Sequence, residues 1–222
     1  MKDSKVSLVV PGSPLGMTTP ERLEAVAAIA KKYHVETIKI TAAQRLKLYG
    51  IDAADAKAAI TELGGSLPQP LGVKKGAHSV QSCPGTWGCK FARQNSLELS
   101  KKVTEALSDH VFPGKVKIGI SGCGFNCCEG YVRDVGIFGK KNGWTLIFGG
   151  NAGGRPRIGD VIAEDLSDDA LIAWVTRVMT FYTNHAKKRE RSAGVMNRLG
   201  LEALRTYLDE AAEGTRLSTV KK

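Results

Sequence analysis

Apolar residues recur at helical spacing over residues 20–33, where Leu23, Val26, Ala30 and Tyr33 line one side of a predicted helix. Thr19 and Pro20 supply its start, an N-cap hydroxyl followed by a proline at the first helical position. Residues 6–10 before it form a short apolar run, a predicted strand that Pro11 ends. Residues 37–41 and 45–49 read as two further strands, with Leu46 and Leu48 on one face of the second. Residues 53–63 are alanine-rich and helical, and Gly64 and Gly65 close that helix. The order β-α-β-β-α predicts an α+β unit with both helices on one side of an antiparallel sheet.

Residues 65–76, with Pro68, Pro70 and Gly72, read as a linker, which divides the chain into domains 1–66 and 67–222. Beyond it the pattern predicts a strand at 78–82, a helix over 90–107 and a strand at 116–120. Strands at 134–139 and 144–148 flank Lys140-Lys141-Asn142-Gly143, where Asn-Gly favours a hairpin with positive φ at both turn positions. A glycine-rich, basic loop follows at 149–159, suited to hold a carboxylate or phosphate in a backbone nest. Ser167 caps a long helix with Leu171, Trp174, Val175 and Val178 on its apolar side, and a last helix covers 193–208. The whole reads as α+β, the second domain built on a mixed or antiparallel sheet.

Charge and composition narrow the partners. No apolar run approaches the length that spans a bilayer, and residues 6–10 are too short for a signal-peptide core. A cytoplasmic location without a membrane partner is therefore expected. The net charge of +10 is uneven, with a basic excess of two over residues 1–70 and of eight over 71–222. Such an excess suits a polyanionic ligand or an acidic protein. Lys and Arg are not interleaved with aromatics, and neither a helix-turn-helix nor an RNA-recognition signature occurs, so a nucleic-acid partner is not expected.

The five cysteines fall in two tight groups. Cys83 and Cys89 have five residues between them; Cys123 and Cys127 have three, and Cys128 follows directly. In a reducing compartment, grouped thiols point to metal or redox chemistry rather than disulfides. Four thiolates suit a [4Fe–4S] cluster, one for each iron, and Pro84, Gly85, Gly88, Gly122 and Gly124 keep the two loops tight. Zinc knuckles usually place two to four residues between cysteines, which counts against a structural zinc site. Spacing alone leaves cluster, zinc and inert buried thiols open.

Five motifs in order then resemble the sirohaem/[4Fe–4S] nitrite and sulfite reductase family, over roughly residues 37–200. They are Thr41-Ala-Ala-Gln44-Arg45, the Cys83/Cys89 pair, Lys115-Val-Lys117 leading to Cys123 and Cys127, Asp134-Val-Gly-Ile-Phe-Gly139, and Gly149-Gly-Asn151. The resemblance implies a ferredoxin-like first half and a sirohaem- and cluster-binding second part. It implies that Cys83, Cys89, Cys123 and Cys127 hold the cluster, with the Cys127 sulfur bridging to the sirohaem iron. It assigns sirohaem contacts to Thr41, Gln44, Arg45, Arg93, Asn126, Lys115 and Lys117. Lys115, Lys117 and Arg45 are the expected catalytic residues, the lysines surrounding the bound anion from one strand face. Arg133, Arg155 and Arg157 are further candidates for the sirohaem carboxylates. In larger sulfite reductases an arginine stands where Ala43 stands here, and Cys128 is expected to be a packed spare thiol. The expected reaction is six-electron reduction of sulfite to sulfide, or of nitrite to ammonia. The alternative is an electron-transfer protein without sirohaem. No flavin or nicotinamide domain is present in the sequence, so electrons are expected from an external donor such as ferredoxin. Larger relatives carry two copies of this repeat, so one copy implies either a self-sufficient chain or a homodimer paired about a two-fold axis.

Overall fold

The computed structural model describes residues 5–65 and 75–219, with side chains described to residue 210. The chain divides into two compact units, Met1–Val73 and Lys74–Lys222. The domain boundary expected at residue 66 and most of the expected linker lie outside the described residues.

The small unit is a three-stranded antiparallel sheet with two helices. β1 (Lys5–Val9) and β2 (Thr37–Ile40) flank β3 (Leu46–Asp52), giving the order β1-β3-β2. α1 (Pro20–Lys32) starts where expected, the Thr19 hydroxyl accepting the Arg22 N–H at 3.2 Å. α2 (Ala56–Glu62) begins three residues later than its alanine-rich pattern suggests. Leu8, Leu48 and Ile51 pack with Val26 of α1 and with Ala59 and Ile60 of α2 in two adjoining apolar clusters. Leu23, expected on the buried side of α1, is instead 46% exposed.

In the large unit five strands stand in sequence order: β4 (Ser79–Ser82), β5 (Lys117–Ser121), β6 (Val135–Gly139), β7 (Trp144–Phe148) and β8 (Asp160–Leu166). The first three are parallel and the last three antiparallel, so the sheet is mixed. Register places Ile118 beside Val135 and Ile120 beside Ile137, and those in turn beside Phe148 and Leu146. Paired residues share a face, and this face meets α3 (Ser96–Ala106), α4 (Asp168–His185) and α5 (Ser192–Thr219) in one apolar core. The other face carries Gly119 beside Gly136. A methyl on Gly119 would lie 2.3 Å from the Cys128 carbonyl oxygen, and one on Gly136 would lie 2.2 Å from the Gly130 carbonyl oxygen. The segment that follows the second cysteine pair is thus pressed flat onto this face.

Three expectations are corrected, and one strand, β8, has no counterpart in the sequence pattern, its side chains showing no clear alternation of burial. The helix expected from residue 90 starts at Ser96, because Asn95 caps it with its Oδ1 on the Glu98 N–H. The 140–143 connection closes through the Lys140 N–H and the Gly143 carbonyl, and Asn142 is not left-handed. The last helix is interrupted at Gly200, with φ +81°, and runs on to Thr219.

Candidate functional site

Both cysteine loops leave the carboxyl ends of adjacent parallel strands. Ser82 pairs with Ile120, and the Cys83 N–H bonds the Ile120 carbonyl, so Cys83 stands beside Ser121, where the second loop begins. Ligands in sheets with parallel strands gather at this end. The loops are then laced together through Gly122. Its N–H donates to the Cys83 sulfur at 3.1 Å, and its carbonyl accepts from the N–H groups of Arg93 (2.7 Å) and Gln94 (3.0 Å). A methyl at Gly122 would meet the Gln94 carbonyl oxygen at 2.8 Å and Gly85 Cα at 2.9 Å. Gly85 is equally confined. A methyl at Gly124 would meet nothing within 4 Å, and one at Gly88 would make only ordinary contact, so the tightness expected of all four glycines belongs to two.

Inside the first loop the Cys89 N–H bonds the Gly85 carbonyl across a 3-10 turn, Gly85–Trp87. Ser96, not singled out by the sequence, donates its hydroxyl to the Cys83 carbonyl at 2.9 Å and lies 3.3 Å from the Cys83 sulfur. The only signal for it was its place directly after the helix cap. In the second loop Asn126 adopts φ +52°, and its Oδ1 accepts the Gly130 N–H at 3.0 Å. Asn126, expected to contact sirohaem, therefore shapes the Cys123–Cys127 turn with its side-chain oxygen.

The thiols are not equivalent. All five are free; Cys127 is exposed, Cys83, Cys89 and Cys123 are half-buried, and Cys128 is buried. Burial pushes the Cys128 thiol up to about 11, the Ser121 hydroxyl pulls the other way, and the nearby Cys83 and Cys127 sulfurs add to the rise. The burial of Cys128 suits a packed thiol rather than a ligand. Exposed aromatics stand on both loops: Trp87 and Phe91 on the first, Phe125 on the second, with the Phe91 and Phe125 rings edge to face at 5.3 Å.

Among the described residues no three His, Cys, Asp or Glu side chains gather closely enough for a single metal ion. A zinc site with Zn–S bonds of about 2.3 Å requires such a gathering, while a four-iron cluster spreads its thiolates over four corners. Two glycine-tight loops at one end of the sheet, with the Gly122 N–H already aimed at the Cys83 sulfur, fit a cluster, because such bonds offset thiolate charge.

The basic residues divide. Lys117 opens β5 and Lys115 lies two residues before it, outside the strand, with Val116 buried between them. Lys117 stands four residues before Ser121, about 13 Å along the strand, at the end opposite the cysteines. Neither ammonium has an ion-pair partner among the described residues. Arg133 bonds the Cys128 carbonyl and Glu129, and Arg157 bonds Asp160, Asn197 and the Gly149 carbonyl, so both guanidinium groups serve the fold. Arg93 and Arg155 are exposed. The 149–159 loop is pinned by a mutual Asn151–Arg157 backbone pair, and the Gly153 and Gly159 N–H groups are also bonded. In the small unit Arg45 keeps a buried Nε without a partner beside a cavity that Gln44 also lines, and the Thr41 hydroxyl accepts the Arg45 N–H at 3.2 Å. An unpartnered buried guanidinium nitrogen fits a carboxylate-rich tetrapyrrole.

Asp134 is a hub the sequence did not reveal. It is fully buried and binds the Lys117 N–H, the Arg191 guanidinium and the Ser192 hydroxyl, tying β5 and β6 to the start of α5.

Comparison with known proteins gives consistent results. A family described as the nitrite and sulphite reductase 4Fe-4S domain matches residues 74–215, and one described as the nitrite/sulfite reductase ferredoxin-like half domain matches residues 1–65. The assimilatory-type sulfite reductase of Nitratidesulfovibrio vulgaris is 45% identical over 206 residues, covering 92% of this chain and 93% of that protein. The NADH nitrite reductase large subunit of Escherichia coli is 33% identical over 93% of this chain, which spans only 25% of that protein. In fold, a dissimilatory sulfite reductase I chain superposes with a TM-score of 0.75 at 13% identity, covering 91% of this chain and 68% of that one. The Mycobacterium tuberculosis NirA protein gives 0.70 at 22% identity, covering 90% and 39%. No helix among the described residues is long and apolar enough to cross a membrane.

Proposed function

The chain belongs to the nitrite and sulphite reductase family, and on that premise we propose that it reduces sulfite to sulfide with a [4Fe–4S] cluster and sirohaem. The observation that carries this reading is the lacing of the two cysteine loops through Gly122, in a chain so similar along its length to an assimilatory-type sulfite reductase. Nitrite is the alternative substrate, because the more distant relatives are nitrite reductases. A cytoplasmic location suits five unpaired thiols.

When bound, the cluster and sirohaem would relay six electrons from an external donor and supply the iron at which the anion is reduced. Cys83, Cys89, Cys123 and Cys127 would hold the cluster, and the exposure of Cys127 supports its role as the ligand nearest the sirohaem. The Gly122 N–H steadies charge on the Cys83 sulfur. Phe91 and Phe125 screen the loops from water. Lys115 and Lys117 attract the anion and donate protons as S–O bonds break, with the oxygens leaving as water. Thr41, Gln44 and Arg45 hold sirohaem carboxylates. The test is composition: protein made anaerobically should carry about one cluster's iron and acid-labile sulfide per chain, together with the sirohaem spectrum, and should reduce sulfite with a reduced dye. Stoichiometric zinc without sulfide would end the reading.

The position of the lysines favours the paired arrangement over the self-sufficient one. They stand at the end of β5 away from the cysteines, so a second copy is better placed to supply them to this chain's anion. A Lys115→Ala/Lys117→Ala chain mixed with a Cys127→Ser chain should then regain activity that neither has alone. Self-sufficient chains would show no such recovery.

A further inference from the structure

Ser96 is wholly buried and opens α3. Its hydroxyl oxygen lies 2.9 Å from the Cys83 carbonyl oxygen and 3.3 Å from the Cys83 sulfur. A hydroxyl carries one proton, which it can give to either acceptor. While Cys83 is a thiol, its sulfur can donate to the hydroxyl oxygen, and the hydroxyl proton rests on the carbonyl. Once Cys83 is a thiolate, the sulfur can only accept, and its charge draws the hydroxyl proton toward it. The Gly122 N–H reaches the same sulfur at 3.1 Å, so two donors converge on it. The approach is built into the loop. A methyl on Gly85 would lie 2.6 Å from the Ser96 hydroxyl oxygen and 2.7 Å from its backbone nitrogen, so glycine at 85 lets the first loop wrap onto Ser96. The same contact brings the amino end of α3 against Cys83, and the partial positive charge of a helix start favours negative charge there. Shielded from water, a hydrogen bond of this kind is stronger than at the surface.

Resting on the reductase reading, we propose that Ser96 is a positioning residue that sets the reduction potential of the cluster through the Cys83 sulfur. An electron entering the cluster places more negative charge on its sulfur ligands. A hydroxyl proton held beside one of them is stabilised more by the reduced state than by the oxidised one, so it makes reduction easier. The carbonyl contact has a second use. It holds the Cys83 backbone against the helix, so the proton swings between two acceptors at fixed positions and no loop has to move as the charge changes. Ser96 lies outside the motifs that carry the family resemblance, and its role follows from these contacts.

The test is a redox titration of the full chain carrying its cluster, followed by the electron paramagnetic resonance signal of the reduced cluster. The parent is compared with Ser96→Ala, Ser96→Thr and Ser100→Ala. Ser96→Ala should keep the parent's iron and sulfide per chain, while its cluster becomes harder to reduce. At a fixed applied potential the ratio of reduced to oxidised cluster should fall roughly threefold, the scale of one hydrogen bond. Ser96→Thr retains the hydroxyl and should restore the parent's ratio. Ser100 is the control: it is also wholly buried on α3, but its hydroxyl bonds the Ser96 carbonyl at 2.7 Å rather than a cysteine. Ser100→Ala should lower the denaturation midpoint and leave the ratio unchanged, which separates the potential from helix stability. An unchanged ratio in Ser96→Ala overturns the assignment, and so does loss of iron from that variant, which would make Ser96 a brace for the loop. A threefold fall in Ser96→Thr or in Ser100→Ala overturns it as well. A parent chain that carries no cluster would overturn the reductase reading itself, a result distinct from these.

Discussion

Adjacent cysteines can have opposite chemistry, and Cys127 and Cys128 do. Cys127 is exposed at the end of the Asn126 turn, whereas Cys128 is buried with its thiol pushed up to about 11 and its N–H bonded to the Ser121 hydroxyl. Cys127→Ser should therefore lose iron and abolish sulfite reduction, because a hydroxyl is neither ionised near neutral pH nor a soft donor. Cys128→Ser should keep the cluster spectrum and most of the activity, a comparison read directly by absorbance and assay. The reverse outcome would mean that Cys128 is the ligand. At Asp134 the stake is stability instead. Asp134→Ala would leave the Arg191 guanidinium and the Lys117 N–H without their acceptor. Breaking a buried pair in this way typically costs about 3–5 kcal/mol, measurable as a lowered denaturation midpoint. The spare role of Cys128 was expected from its place after Cys127, whereas the role of Asp134 was not, because a motif records identity and spacing but not which side chain is buried.

At the level of elements, the cysteine loops depend on two kinds of glycine. Gly122 threads between Gln94 and Gly85, so Gly122→Ala should push the loops apart and lower iron and sulfide per chain. Gly124→Ala, in open space, should leave both unchanged and serves as the internal control. If the two variants retain iron equally, the lacing does not position the cysteines. Gly119 and Gly136 instead clear one sheet face for the segment 128–130. That requirement explains the glycines at 119 and 136, which stand between the core-facing Ile118 and Ile120 of β5 and Val135 and Ile137 of β6. The helix start at Ser96 follows from the same lacing: residues 93 and 94 give their N–H groups to Gly122, which is incompatible with continuing a helix back to residue 90.

For the whole molecule, the charge of +10 bears on the electron donor. We expect an acidic one-electron carrier protein, and association between opposite charges is screened by salt. Sulfite reduction driven by such a carrier should slow steeply between low and physiological ionic strength, while reduction by a small neutral dye should change little. Equal salt dependence of the two would remove charge steering from the account. The composition measurement and the mixed-chain experiment also belong at this scale, since they ask what one chain carries and whether a second must complete it.

The sequence by itself determined the two cysteine groups, the order of most elements and the α+β class, because thiol spacing, helix caps and apolar periodicity are local. Thr19, the 3.6-residue spacing of α1, and the strands around Leu48 and Val135 were all legible in that way. The weakly patterned β8 was not, since a strand that alternates poorly is specified by its neighbour rather than by its own side chains. Only the tertiary structure decided that β4 lies parallel to β5, which brings Cys83 beside the second loop and leaves Lys117 at the far end of the same strand. Only it revealed the Asp134 hub and the buried, unpartnered Nε of Arg45. The physical reason is that strand pairing, burial and hydrogen-bond satisfaction depend on residues far apart in the chain, and periodicity carries no record of which distant partner a residue meets.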